Sequence, residues 1–394
     1  MSVAGTPNPG HPGDLPSPVG PERHGGNLAA AAERLGCRPE QLLDASASLV
    51  PFAPPASLRR ALRAACRPQA LRPYPDRSYR ELRRVIAALH GCDPAWVLPG
   101  NGAAELFTWA ARDAAALGPS LLPTPGFADY RRALECWGGA VQTAPLPLGG
   151  PQAGQGPAPA GCAWPLPAAA APVLWITNPH NPTGQLWSRA SLAPLLRRHA
   201  LVICDEAFLP LTPAGEAQSL LPLLADHPNL VVIRSLTKLF AIAGLRLGYA
   251  LAHPDRLARW SAWRDPWPVN ALAAAAGEAL LADRPGYQRW CARVQGWVVR
   301  EGDWLQRRLK ALPGLVPLPS ASNYLLIRGE RQGQPASLEP LRLALEQRDR
   351  ILLRDCRSFE GLGENWLRLG LQHRAGHRRI VAALARELGA GLSR

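Results

Sequence analysis

Lysine is almost absent from this chain of 394 residues: Lys238 and Lys310 are the two lysines among 44 lysine and arginine residues. Arginine keeps its proton in proteins, whereas a lysine amine becomes a nucleophile once its pKa is lowered. Lys238 lies in a weakly charged segment with two glycines, residues 235–249, so we expect it to form a Schiff base with an aldehyde cofactor. Lys310 falls on a predicted amphipathic helix, where we expect it to face solvent.

The sequence also lacks the patterns that mark metal sites, secretion and membrane spans. Its eight cysteines are scattered, without a Cys-x-x-Cys pair or clustered Cys/His spacing, which predicts no metal site and indicates reduced thiols of a cytoplasmic protein. There is no basic-then-apolar N-terminal pattern and no apolar run long enough to cross a bilayer. The net charge of +14 comes from arginines spread along the chain, which favours attraction of anionic substrates over nucleic-acid binding.

Composition divides the chain into segments. Residues 1–22 are rich in Pro, Gly and Ser, which predicts a disordered leader, and residues 147–172 resemble a long surface loop. We expect residues 23–60 to form the N-terminal segment of a small domain and residues 61–286 to form a large cofactor-binding domain. Residues 287–394 then supply an interdomain helix and the rest of the small domain.

Short apolar runs alternate with helical patterns in the middle of the chain. Residues 173–176, 201–204 and 230–234 are continuously apolar, as expected of buried parallel strands, and residues 188–199 have helical periodicity. This alternation predicts an α/β fold with a mostly parallel sheet. Further along, the pattern predicts a smaller α+β lobe. Its elements are a helix at 287–312, strands at 323–328, 351–354 and 366–371, and helices at 338–348 and 375–388.

Polar clusters follow the predicted strands, at the edge of the sheet where ligands of open α/β folds bind. Their residues match the groups that pyridoxal phosphate requires: a lysine, a carboxylate beside the ring nitrogen, a donor to the phenolic oxygen, a phosphate cradle and a stacking ring. Lys238 is the candidate lysine, Asp205 the carboxylate and Asn181 the donor to the phenolic oxygen. Phe127 is the candidate stacking ring. The candidates for the phosphate cradle are Ser235, Arg246, Gly102, Ala103 and Ala104.

Taken together, these segments resemble fold-type I pyridoxal-phosphate enzymes of the class I/II aminotransferase family, over about residues 24–390. The resemblance rests on Asn-Pro-x-Asn-Pro-Thr-Gly at 178–184, Asp-Glu-Ala-Phe at 205–208 and Ser-x-Thr-Lys at 235–238, followed by Gly-Leu-Arg-Leu-Gly-Tyr at 244–249. It implies a large domain with a mostly parallel central sheet flanked by helices, and a smaller α+β domain. It also implies that Phe208 and Thr237 contact the cofactor. Tyr74 matches a tyrosine that reaches the cofactor phosphate of a neighbouring subunit, which implies a homodimer.

Within that family the chain resembles the branch that decarboxylates L-threonine O-3-phosphate in cobalamin biosynthesis. Residues 24–27, 125–132 and 267–272 carry this likeness, together with Phe208, where most aminotransferases have tyrosine. An aminotransferase of the histidinol-phosphate type is the alternative. A regulatory protein without catalysis is disfavoured, because residues 1–22 are too short and too polar for a helix-turn-helix extension. The resemblance implies a set of substrate-binding residues: His24, Gly25, Ser48, Asn181, Asn323, Arg354 and Arg368.

Two positions depart from the pattern of those decarboxylases. Ser48 and Val50 stand where the family's enzymes carry asparagines that approach the substrate. A serine hydroxyl can still donate one hydrogen bond, but with a shorter reach, so the substrate contact at Ser48 is expected to differ.

Overall fold

The computed structural model describes residues 24–148, 161–167 and 170–389. The predicted leader at 1–22 and the central part of the predicted loop at 147–172 lie outside the described residues. No helix in the described ranges has both the length and the apolar character needed to cross a membrane.

The strands of the described residues form two sheets. The first eight are β1 (Leu43–Ala45), β2 (Val97–Asn101), β3 (Ser120–Thr124), β4 (Val141–Pro145), β5 (Val173–Thr177), β6 (Leu201–Asp205), β7 (Leu230–Ser235) and β8 (Leu247–Ala252). The remainder are β9 (Leu315–Pro317), β10 (Tyr324–Arg331), β11 (Gln334–Pro335), β12 (Ile351–Asp355) and β13 (Trp366–Gly370).

Helices pack around both sheets. Those of the N-terminal half are α1 (Leu28–Arg34), α2 (Ala56–Ala65), α3 (Pro68–Leu71), α4 (Arg80–His90), α5 (Gly102–Leu117), α6 (Ala128–Glu135) and α7 (Arg189–Leu192). Those that follow are α8 (Leu236–Phe240), α9 (Pro254–Trp263), α10 (Ala271–Leu281), α11 (Arg284–Lys310), α12 (Glu339–Asp349) and α13 (Arg374–Glu387). Short 3-10 turns cover Pro39–Gln41, Pro94–Trp96, Ala193–Arg197, Leu209–Leu211, Gly215–Gln218, Leu221–Leu223 and Ala243–Leu245.

The larger sheet has the strand order β2-β8-β7-β6-β5-β3-β4 and is parallel except for β8. All residues of β5, β6 and β7 are buried, because alternate side chains enter hydrophobic clusters on opposite faces. These are the three continuous apolar runs of the sequence, and the predicted α/β architecture is confirmed. Because the strands are parallel and in register, Thr177 lies beside Asp205 at the carboxyl edge of the sheet.

The smaller sheet joins the two ends of the chain. Its order is β1-β12-β13-β10-β11, with β9 also paired to β10, and β1 runs parallel to β12. The N-terminal segment therefore shares a sheet with the C-terminal third, although the domain boundaries stay predictions. Helix α11 links the parts, since Trp290 Nε1 donates to the carbonyl oxygen of Leu239 next to Lys238. Lys310, at the end of α11, is exposed as predicted.

The predicted helix at 188–199 is shorter in the structure than its periodicity indicates. Helix α7 ends at Leu192, and a 3-10 turn continues to Arg197. Pro194 lies at the start of that turn and has no amide hydrogen to donate to the preceding turn, so the α-helical pattern stops there.

Candidate active site

A cavity of about 450 Å³ opens between the two sheets and the N-terminal segment. This volume is in the usual range for small-molecule sites. The predicted site residues that line it are His24, Gly25, Ser48, Ala103, Ala104, Phe127, Asn181, Asp205, Phe208, Ser235, Thr237, Lys238, Arg246, Arg354 and Arg368. The structure thus brings together side chains that are up to 344 positions apart in the sequence, from His24 to Arg368.

Lys238 lies on the short helix α8, directly after β7. Ser235 caps this helix, its Oγ accepting from the Thr237 amide at 3.3 Å, and the Val50 amide donates to the Lys238 carbonyl oxygen at 3.3 Å. The Lys238 ammonium is 5.9 Å from the centre of the Phe208 ring. Burial of the amine lowers the pKa of Lys238 to about 8, and the positive charges of Arg246 and Arg368 lower it in the same direction. A substantial fraction of this amine is therefore neutral near neutral pH and able to attack a carbonyl.

Asp205 ends strand β6 with its carboxylate buried at the base of the cavity. Its Oδ1 accepts from the Ala207 amide at 2.9 Å, and its Oδ2 accepts from the Tyr130 hydroxyl at 2.6 Å. Burial raises the pKa of Asp205, while these two donors and the charge of Lys238 oppose the rise by stabilising the carboxylate.

The start of helix α5 and Arg246 form a cradle that suits a phosphate dianion. The amides of Ala103 and Ala104 are in the first turn of this 16-residue helix, at the positive end of its dipole. Gly102 has a φ of +71°, and a Cβ added there would lie 2.4 Å from Arg246 Nη2. The positive φ favours glycine at the start of this helix, and Gly102 itself does not line the cavity.

These residues fit pyridoxal phosphate. Ser235 and Thr237 stand beside the cradle, and Phe127 supplies an aromatic face whose centre is 5.6 Å from that of His24. Asn181 accepts through Oδ1 from Arg368, so its Nδ2 is the part of the side chain that can donate to a phenolic oxygen.

Arg354 and Arg368 provide two cationic groups on the side of the cavity that the smaller sheet forms. They face each other in register across β12 and β13, and both are buried. Arg354 Nη2 donates to Ser358 Oγ at 2.6 Å. Arg368 donates to Asn181 Oδ1 and to the Ser46 carbonyl oxygen, and its Nε has no acceptor among the described residues. Neighbouring guanidinium groups repel each other, and an anion bound between them relieves this repulsion.

The N-terminal segment closes the cavity above Ser46. A Cβ at Gly25 would lie 2.5 Å from the Ser46 carbonyl oxygen, and the Gly26 amide donates to Ser46 Oγ at 3.0 Å. Below it, Ser48 is 3% exposed and its Oγ has no hydrogen-bond partner in the described part of the chain.

Besides Gly102, two predicted residues lie outside the cavity lining. Asn323 is fully buried and donates through Nδ2 to the Ser48 carbonyl oxygen at 3.0 Å, so it supports the segment that carries Ser48. Tyr74 is 76% exposed and stacks on Trp267 with a centroid distance of 4.4 Å.

Tyr130 and Thr177 were missed by the sequence reasoning. The Tyr130 hydroxyl is 2.8 Å from Thr177 Oγ1 as well as bonded to Asp205. One signal in the sequence points to Tyr130: it follows Phe127 by three residues at the start of a helix, so it lies one turn from the predicted stacking ring.

Comparisons with known proteins agree with this geometry. The family described as aminotransferase class I and II matches residues 41–384. The threonine-phosphate decarboxylase of Salmonella typhimurium is 36% identical over 376 residues, which cover 92% of this chain and 95% of that protein. The histidinol-phosphate aminotransferase of Symbiobacterium thermophilum is 35% identical over 331 residues, covering 81% and 83%. The crystal structure of histidinol-phosphate aminotransferase from Sinorhizobium meliloti in complex with pyridoxal-5'-phosphate has a TM-score of 0.78 at 22% identity, covering 92% and 95%. The predicted fold-type I architecture is thereby confirmed.

Proposed function

The chain belongs to the class I and II aminotransferase family, and from this premise we propose that it is a pyridoxal-phosphate-dependent carboxy-lyase. Its substrate is L-threonine O-3-phosphate and its product is (R)-1-amino-2-propanol O-2-phosphate, a step of cobalamin biosynthesis. The observation that carries the proposal is the pair of buried arginines, Arg354 and Arg368, facing the cavity of Lys238. A phosphorylated amino acid presents two anionic groups, and guanidinium forks suit both carboxylate and phosphate. The identity to a decarboxylase over nearly the whole chain supports the same choice.

Bound pyridoxal phosphate would supply an electron sink for the pair released when the Cα–carboxylate bond breaks. The residues of this chain hold and orient the reactants. The α5 amides, Ser235 and Arg246 would hold the cofactor phosphate, and Asp205 would keep a proton at the ring nitrogen. Arg354 and Arg368 would bind the anionic groups of the substrate and so orient the bond at Cα that is to break. After the carboxylate leaves as CO2, Lys238 or water delivers one proton to Cα.

An aminotransferase of the histidinol-phosphate type is the second candidate, supported by the relative from Symbiobacterium thermophilum. Its substrate also carries a phosphate, and the same lysine and aspartate would serve. In that reaction Lys238 would remove a proton from Cα, and the amino group would pass to a 2-oxo acid.

Two measurements test the proposal. The purified protein with pyridoxal phosphate should show the visible absorbance band of a lysine-bound cofactor. Lys238→Ala should abolish the band, while Lys310→Ala, which changes the other lysine, should keep it. A band that persists in Lys238→Ala would contradict the cofactor assignment. O-phosphothreonine should then release CO2 without any 2-oxo acid, and turnover that requires an oxo acid would favour the aminotransferase.

The proposal includes a homodimer in the cytoplasm with shared active sites. Tyr74 is exposed but held in place, because it stacks on Trp267, over which Arg77 also lies at 4.6 Å. A rigid exposed tyrosine of this kind is typical of an interface anchor. We assign it to the cofactor phosphate of the partner subunit. The eight cysteines are all free thiols, which supports a reducing compartment.

A further inference from the structure

A chain of hydroxyl groups lies behind the carboxylate of Asp205. Tyr130, on helix α6, bonds to Asp205 Oδ2 at 2.6 Å and to Thr177 Oγ1, at the end of β5, at 2.8 Å. All three residues are buried, with exposed fractions of 4% to 6%. Tyr130 and Thr177 have no part in the cofactor and substrate contacts assigned above, and neither lines the cavity.

The direction of the hydrogen bonds follows from the chemistry of the three groups. An ionised carboxylate only accepts, so Tyr130 must donate its single proton to Asp205. Thr177 must then donate to the Tyr130 oxygen. Burial and the neighbouring charge of Asp205 raise the pKa of Tyr130 well above its ordinary value, so the phenol stays protonated and remains a donor.

The Tyr130 ring is fixed by aromatic packing. Its centroid lies 5.0 Å from that of Phe107, 5.6 Å from that of Phe127 and 5.1 Å from that of Trp175. These contacts leave the phenol a single position, from which it meets one oxygen of Asp205 while the Ala207 amide meets the other. The carboxylate is therefore held in plane and in one rotation, and each oxygen keeps further capacity to accept.

We infer that Tyr130 and Thr177 are positioning residues, which keep Asp205 ionised and oriented for a protonated ring nitrogen in the cavity. This inference rests on the proposed function, because Asp205 needs such a partner only if the cavity binds pyridoxal phosphate. It adds a second layer of residues to the site, since neither Tyr130 nor Thr177 lines the cavity.

Removal of the phenol oxygen should change how cofactor binding depends on pH. In Tyr130→Phe the carboxylate loses a donor that stabilises its charged form, so the pKa of Asp205 rises further. Cofactor binding needs the ionised carboxylate. On acidification, the variant should therefore lose cofactor binding at a higher pH than the wild-type protein does. At acidic pH the dissociation constant of pyridoxal phosphate should increase by about 10- to 100-fold, as expected for a hydrogen bond to a charged group, and the increase should shrink as pH rises.

Tyr249→Phe is a matched control. Tyr249 is also buried, and its hydroxyl is 2.8 Å from His90 Nε2, away from the residues of the cavity. Thr177→Val, which acts only through Tyr130, should weaken binding by a smaller factor, and the double variant Tyr130→Phe, Thr177→Val should resemble Tyr130→Phe alone. Circular dichroism and the urea midpoint establish that each variant is folded.

The experiment measures cofactor dissociation constants of the apoproteins between pH 5 and pH 9. The expected result is a shift of the acid limb to higher pH in Tyr130→Phe and an unshifted limb in Tyr249→Phe. Equal affinity and equal pH dependence in the two variants would overturn the inference, as would a loss in Tyr130→Phe that is the same at every pH. If the wild-type apoprotein itself does not bind pyridoxal phosphate, the proposed function fails, which is a separate outcome.

Discussion

At the scale of a single residue, the Ser48 hydroxyl is the predicted substrate contact that can be tested most directly. It is buried in the cavity wall and has no hydrogen-bond partner among the described residues, an arrangement that costs the free protein stability. Ser48→Ala should leave the free energy of unfolding unchanged or raise it by up to about 1 kcal/mol. If the substrate uses this hydroxyl, KM for O-phosphothreonine should rise roughly 5- to 30-fold while kcat changes less. Urea unfolding and steady-state kinetics measure the two effects.

Ser120 provides the control for that residue. It is fully buried on β3, its Oγ also lacks a partner within the described chain, and it lies outside the cavity. Ser120→Ala should therefore have the same small effect on the free energy of unfolding as Ser48→Ala, and it should leave KM unchanged. An unchanged KM in Ser48→Ala would show that the substrate does not bind this hydroxyl.

At the scale of elements, the ends of strands β6 and β7 direct some side chains into the cavity and others into a buried ion pair on the opposite side. Side chains alternate along a strand, so Asp205 and Ser235 point to the cavity while their neighbours Glu206 and Arg234 point to the other side. Arg234 Nη2 lies 2.7 Å from Glu206 Oε2, and Glu206 also accepts from Ser219 Oγ and from the Leu220 amide. This buried pair ties together the two strands that position Asp205 and Lys238.

Removing one partner of the Arg234–Glu206 pair should destabilise the folded protein. Arg234→Met leaves Glu206 buried without its cation and should lower the free energy of unfolding by about 3–5 kcal/mol. Burial already raises the pKa of Glu206, and loss of Arg234 raises it further. The native state then binds a proton that the unfolded state has released, so the destabilisation should grow as pH rises above the ordinary pKa of glutamate. Urea unfolding at several pH values measures this, with Arg84→Met, from an exposed pair with Glu81, as a control expected to change little.

The elements also show what the sequence can predict. Strands β5, β6 and β7 are continuous apolar runs because they are buried on both faces, and the motifs that follow them carry residues that do meet in the cavity. Tyr130 and Thr177 were not predicted, because their contact joins positions 47 residues apart and depends on how α6 packs against the sheet. The position of Asn323 likewise depends on a contact with Ser48 across 275 residues.

At the scale of the whole molecule, the cavity is assembled from three parts of the chain. The N-terminal segment brings His24 and Ser48, the large sheet brings Asp205 and Lys238, and the smaller sheet brings Arg368. Since β1 pairs with β12, the first and last parts of the chain belong to one sheet.

The proposed dimer with shared sites leads to a prediction that involves two subunits at once. Tyr74→Ala should lower turnover by about 10- to 100-fold if the hydroxyl binds the partner's cofactor phosphate. Lys238→Ala should be inactive. In a mixed dimer of these two variants, one site combines an intact Lys238 with an intact Tyr74 from the other subunit. Random assembly should therefore restore about a quarter of the wild-type activity, because half of the dimers are mixed and each has one native site.

A second mixture distinguishes complementation from simple dilution. Asp205 and Lys238 line the same cavity of one chain, so a mixed dimer of Asp205→Ala and Lys238→Ala contains no native site. Co-expression with two different affinity tags allows each mixed dimer to be isolated and assayed with O-phosphothreonine. We expect activity in the mixed dimer of Lys238→Ala with Tyr74→Ala, and none in the mixed dimer of Lys238→Ala with Asp205→Ala. If neither mixture regains activity although mixed dimers are recovered, Tyr74 does not act on the partner's site, and the shared-site proposal is wrong.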